Sequence, residues 1–183
     1  MTITNNELIS MALAYGAKNA SVIDVASIPF KREFRKACEV NACGMYGRCW
    51  TCPPDVGDID DLICIASAKQ YALVYQTIGE LEDSYDFEGM QEAGAIHSKI
   101  AHSLRDDLID RLPGLLPLGA GGCHLCEVCT KPTNEPCRFP ERAMASVESY
   151  GIAVSELAQL CGMKYINGEN TVTYFCAFLF NRE

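Results

Sequence analysis

The chain has 183 residues, 49% of them hydrophobic and 21% charged, with a formal net charge of −9 and a mean hydropathy of +0.02. A chain this long buries roughly 70% of its unfolded surface, and its composition excludes an intrinsically disordered protein. The acidic balance, with a pI near 4.8, argues against nucleic acid as a partner. No apolar run approaches the roughly 20 residues of a membrane helix. The start of the sequence lacks the basic and apolar segments of a secretory signal. One cytoplasmic domain spanning residues 1–183 is the expectation.

In chain order, Asn6 to Tyr15 reads as an amphipathic helix with Leu8, Met11, Ala12 and Tyr15 on one stripe. Ser21 to Ala26 follows as a strand. Pro53-Pro54 forbids a helix through the next segment, and Asp58 is placed to cap one from Ile59 to Lys69. Tyr71 to Ile78 reads as a strand. An acidic stretch, Glu80 to Glu88, leads into a long helix reaching about Leu112, with Ala93, Ile96, Ile100, Leu104 and Leu108 as its buried face. Pro113-Gly114 stops it. Leu115 to Ala120 is a strand that could complete a β-α-β crossover with Tyr71–Ile78 and the long helix. Helices over Glu141–Tyr150 and Val154–Cys161 come next, closed by Gly151 and Gly162. Asn167-Gly168 signals a hairpin turn before a last strand from Thr171 to Phe180. The fold class expected is α/β or α+β, a mixed central sheet flanked by helices, with cysteine-rich metal-binding loops at its edge.

Eleven cysteines are about 6% of the chain, far above ordinary usage. Their odd number and tight spacing point to metal rather than to a disulfide framework. Eight fall in two groups, Cys38, Cys43, Cys49 and Cys52, then Cys123, Cys126, Cys129 and Cys137. Although the chain is acidic, segments 31–52 and 123–142 hold eight cations against five acids. Cations there lower the cost of an anionic thiolate cluster, or simply solvate two loops. Cys161 and Cys176 read as packing residues at helix-stripe and strand-face positions. Cys64 is expected buried on a helix covered from both sides, with a ligand role as the alternative.

The second group, Cys123-x2-Cys126-x2-Cys129-x7-Cys137, is the more specific signal. A C-x2-C-x2-C run followed by a fourth cysteine is the bacterial ferredoxin arrangement. Structural zinc more often takes two C-x2-C knuckles. The gap before Cys137 is seven rather than three, so Cys137 closes this cluster through a longer loop or ligates elsewhere. His124, inside the run, reads as a loop residue. The first group offers four thiols within fifteen residues, with Gly44 and Gly47 at the bends. Trp50 is placed to shield a site from water. Cys49-Trp50-Thr51-Cys52 has a thioredoxin-type spacing but lacks the strand-to-helix placement that this chemistry uses.

The stretches Cys38-x4-Cys43-x2-Tyr46-Gly47-x-Cys49-x2-Cys52-Pro-Pro and Leu118-Gly-Ala-Gly-Gly-Cys123-x2-Cys-x2-Cys resemble an uncharacterised family of predicted metal-binding proteins, domain of unknown function 2284. Pro136-Cys-Arg-Phe-Pro-Glu, Ser146-x-Glu-x-Tyr-Gly-Ile and Thr171-Val-Thr-Tyr-Phe fit it too. The resemblance runs from about Ile28 to Phe180. It implies metal binding through the eight grouped cysteines and carries no established reaction.

Three functions compete on these residues. The first is an iron–sulfur protein with one or two 4Fe–4S clusters, passing electrons to a redox protein partner. The second is an enzyme using an open-site cluster on a small substrate, with His97 and His102 as acid–base candidates. Five residues apart, these two do not converge on a helix and read as surface residues. The third is a zinc-stapled interaction protein.

Overall fold

The computed structural model describes residues 3–182. Two ten-residue strands organise the sheet. β2 (Tyr71–Glu80) and β5 (Thr171–Phe180) pair antiparallel over their whole length, from Tyr71↔Phe180 to Glu80↔Thr171. Ala72 to Thr77 are buried without interruption, which is why this strand reads as an apolar run rather than an alternation. β1 (Asn19–Asp24) flanks β2, and β3 (Leu116–Gly119) flanks β5, both antiparallel. The two-residue β4 (Ala145–Ser146) adds a parallel pair beyond β3, giving the order β1-β2-β5-β3-β4. The result is a mixed sheet in an α+β fold. β2 and β3 run parallel and are joined through α4 (Phe87–Leu108), but β5 lies between them. The expected crossover is therefore split by the last strand.

Alternation along β5 divides the interior. Phe175, Ala177 and Leu179 face one core with Leu62 and Ala66 of α3 (Ile59–Ser67) and Leu157 and Ala158 of α5 (Val154–Leu160). Cys176, Phe178 and Phe180 face the other, with Leu8 and Ala12 of α1 (Asn5–Tyr15) and Ala101, Leu104 and Leu108 of α4. Local chemistry sets the helix starts. Thr4 and Glu7 form a reciprocal capping box on α1, and the Asp58 and Asp86 carboxylates accept backbone N–H groups at the starts of α3 and α4. Gly79 lets α4 lie on the sheet, because a Cβ there would come 2.5 Å from that of Ala93. Among the described residues, no helix is long and apolar enough to cross a membrane.

Several expectations are corrected. Glu141 to Tyr150 is not a helix: Ala145–Ser146 form β4, and only Glu148–Tyr150 make a single 3₁₀ turn. Ser149 donates its N–H and its hydroxyl to Ser146, at 3.1 and 2.6 Å, a local alternative to helical pairing. The buried stripe of α4 is His97, Ala101, Leu104 and Leu108, leaving Ile96 55% exposed. Asn167-Gly168 does not join two strands, since α5 precedes it and β5 follows. An unexpected short helix, α2 (Phe34–Glu39), carries Cys38.

The ungrouped cysteines differ among themselves. Cys176 is fully buried, and Cys161 sits half-buried against the first core. Cys64 is exposed, because α3 buries only the face that carries Leu62 and Ala66. We expect Cys64→Ala to leave metal content unchanged and to alter stability by less than about 0.5 kcal/mol. Metal counting and thermal unfolding check this.

Candidate metal centre

The first cysteine loop leaves α2 just after Cys38 and bends at Asn41, Gly44 and Gly47, all with positive φ. The Gly47 N–H donates to the Pro53 carbonyl at 2.8 Å, and the Cys52 N–H to the Cys49 carbonyl at 3.0 Å. These bonds fold the loop back on itself and bury Cys49 and Cys52. The second loop continues from β3. Gly122 lets it lie against the first, since a Cβ at this position would come 3.0 Å from Met45 Cε and 3.7 Å from Cys52 Sγ.

Trp50 locks the loops together. Its Nε1–H reaches Thr130 Oγ1 at 3.2 Å and the Glu135 carbonyl at 3.0 Å, while buried Thr130 donates to the Pro136 carbonyl. Lys131 lies 4.3 Å from the centre of the indole and pairs with Asp55. One consequence could not be read from spacing. Cys49, grouped by sequence with Cys38, Cys43 and Cys52, lines a small cavity with Cys123, Cys126, Cys129 and Cys137.

The thiols also act on one another. Cys52 pulls the Cys49 thiol down, helped by Thr51, whose Oγ1 lies 3.3 Å from Cys49 Sγ, and by the Cys123 backbone. Cys49, with burial and the neighbouring thiols Cys43 and Cys38, pushes Cys52 up. Burial raises Cys38 and Cys123 as well.

Four of the eight local cations are already paired: Lys31 with Glu156, Arg32 with Asp60, Lys131 with Asp55 and Arg142 with Asp106. Arg35 differs. Its Nε and Nη2 are buried without a hydrogen-bond partner, and its charge acts on Cys38. An anionic group held by these thiols would meet that guanidinium. All eleven cysteines are free. Among the described residues, no group of three or more His, Cys, Asp or Glu side chains is arranged to hold a metal ion as it stands. The donor set of free thiols with an orphaned guanidinium nevertheless suits an anionic assembly of a thiophilic metal.

A second, larger cavity of about 680 Å³ opens beside the thiols, and Cys123 belongs to the walls of both. The chain has three histidines, and His97, His102 and His124 all line it, together with Glu148 and Tyr174. His97 is no surface residue. It is 2% exposed, with Nδ1 2.8 Å from Thr77 Oγ1 and Nε2 3.1 Å from Cys176 Sγ. Both helix histidines reach one cavity because it spreads across a broad face of α4, so their angular separation does not part them. A polar residue four positions before Ala101 and seven before Leu104, both buried, was the sequence signal for His97.

Burial pushes the His97 imidazole down from 6.5 to about 4. Burial, followed by the Arg142 charge, lowers His102, and burial raises Glu148. The unfolded chain binds a proton at His97 below pH 6.5, and the fold resists doing so until about pH 4. Stability should therefore fall as pH drops through this window, by about 3 kcal/mol in all, with no contribution above it. Denaturant titrations of His97→Gln beside the parent chain test this, the variant being expected to flatten that part of the profile.

No curated protein and no solved structure matches the chain. Residues 21–180 match the family described as predicted metal-binding protein (DUF2284). That span takes in both cysteine loops and four of the five helices and ends with β5, so the chain belongs to this family.

Proposed function

We propose that the protein is a cytoplasmic iron–sulfur electron carrier in which the two loops jointly hold one or two 4Fe–4S clusters. The observation that carries this reading is the grouping of Cys49 with Cys123, Cys126, Cys129 and Cys137 around one cavity, with Cys38, Cys43 and Cys52 alongside. Four thiolates hold one such cluster, and a ferredoxin-like run supplies three of them in sequence. When bound, the cluster supplies one-electron chemistry. The chain's own residues would hold and shield it: Trp50 closes one side, and Arg35 offsets negative charge. Exposed Val128 and Phe139 flank Cys129 and Cys137 in sequence and offer an apolar rim to a redox protein partner.

A second reading, an enzyme acting on a small substrate, is favoured by the large cavity against Cys123. Anaerobic purification tests the first. A brown protein with iron and acid-labile sulfide in equal amounts, bleached by dithionite, is expected. A colourless protein with stoichiometric zinc would overturn it. A cluster spectrum that changes on adding a small substrate would favour the enzyme over the carrier.

A further inference from the structure

β3 leaves the sheet early. It pairs with β5 at Leu116↔Leu179, Pro117↔Phe178 and Leu118↔Ala177, then turns away through Gly119 into the second cysteine loop. Among the described residues, no strand covers that side of residues 171–176. Parity decides which backbone groups face the gap. The Phe180 carbonyl accepts from Gln70 on the β2 side, so even-numbered residues of β5 bond toward β2 and odd-numbered ones toward β3. Thr173 and Phe175 therefore aim their N–H and C=O groups off a free edge, and both line the 680 Å³ cavity.

The other walls limit what fits there. Gly94, Ala95 and Ser98 of α4 and the Gly119–Gly122 run present small residues. Flat faces come from Tyr165, stacked on Phe175 at 6.2 Å, and from Tyr174, 5.5 Å from His97. Among the described residues, no Lys or Arg lines the cavity and Glu148 is its one carboxylate, so no permanent cation there would pair with a phosphate. The volume is that of a small-molecule site.

From this geometry we infer that the cavity binds an uncharged, planar nitrogen heterocycle, held by a lactam or imide edge on the Thr173–Phe175 backbone and lying against Cys123. A strand residue points its N–H and C=O the same way, which matches the adjacent C=O and N–H of such a ring. The inference rests on the cavity and holds whichever metal the cysteines bind.

Equilibrium dialysis of the full chain, as purified with its metal, uses lumazine and a lumazine methylated at its ring N–H as probes. Saturable one-to-one binding of lumazine at about 100 µM or tighter is expected. The methylated ring should bind about tenfold more weakly or worse, having lost its donor. A Cβ at Gly119 meets no atom within 4 Å, so a longer side chain has room to enter the cavity. Gly119→Leu should therefore weaken lumazine about tenfold while metal content and unfolding temperature hold. Should that variant not fold, Ser98→Leu on the facing wall gives the same reading. Absence of saturable binding at about 1 mM lumazine, equal affinity for both probes, or undiminished affinity in the folded filled-cavity variant would each overturn the inference.

Discussion

Cys49→Ser is expected to strip metal as completely as Cys126→Ser or Cys129→Ser does, and to take solubility with it. The reason is the cavity that Cys49 shares with the second loop, across more than seventy positions of sequence. Binding free energy in such sites is folding free energy, about 10–16 kcal/mol for structural zinc, which matches or exceeds the total stability of about 5–15 kcal/mol of an ordinary domain. Removing a ligand therefore removes the fold around it. Metal analysis and thermal unfolding of each variant measure the effect. Combining Cys49→Ser with Cys126→Ser should add nothing further, because both act on one centre. Full metal content in Cys49→Ser beside loss in Cys126→Ser would place Cys49 outside that centre. A normally folded, fully loaded Cys126→Ser protein would sink the metal assignment itself.

Trp50→Ala should be the most damaging substitution among the non-cysteine residues of the two loops, at about 3 kcal/mol. That corresponds to a fall of roughly 10 °C in unfolding temperature for a chain of this size. The indole makes two hydrogen bonds to the second loop and carries Lys131 on its face. Its loss leaves the loops joined mainly through Lys131 and Asp55 and the contact at Gly122. Trp50→Phe separates the contributions: it keeps an aromatic face for Lys131 and loses the donor, at a cost of about 1 kcal/mol. Metal release to a chelator should quicken in the order parent, Phe, Ala. An Ala variant as stable and as slow to release metal as the parent would mean that the two loops hold together without the indole.

Where local signals agreed with the fold, the elements were legible. Thr171 to Phe180 is a strand over just the residues its β-branched and aromatic content marks, and Asp58 caps α3 as its position suggested. The segment 141–150 misled because its helical pattern competes with pairing to β3, a partner more than twenty residues away. Placing Ile96 instead of His97 on the buried stripe had a related cause. Polarity argued for the surface, while Thr77 and Cys176 supply the hydrogen-bond partners that make burial of an imidazole tolerable. In the candidate site, spacing sorted eight cysteines into two groups but could not show that Cys49 lines a cavity with the second group. Their division depends on Trp50 meeting Thr130 and Glu135, contacts that no local pattern encodes.

The position of β5 bears on how the molecule comes together. It follows every other described element in the chain, yet it lies at the centre of the sheet and contributes to both cores. During synthesis the thiol-bearing loops emerge before the strand that ties β2 to β3 exists, so the scaffold that fixes them forms only once residue 180 is available. Contacts this distant in sequence make for slow folding with a long-lived open stage. Eight thiols are accessible throughout that stage, to metal donors and oxidants alike. For a member of a predicted metal-binding family, the order of metal delivery and strand closure thus bears on yield, and a chain lacking β5 would display its cysteine loops without closing them.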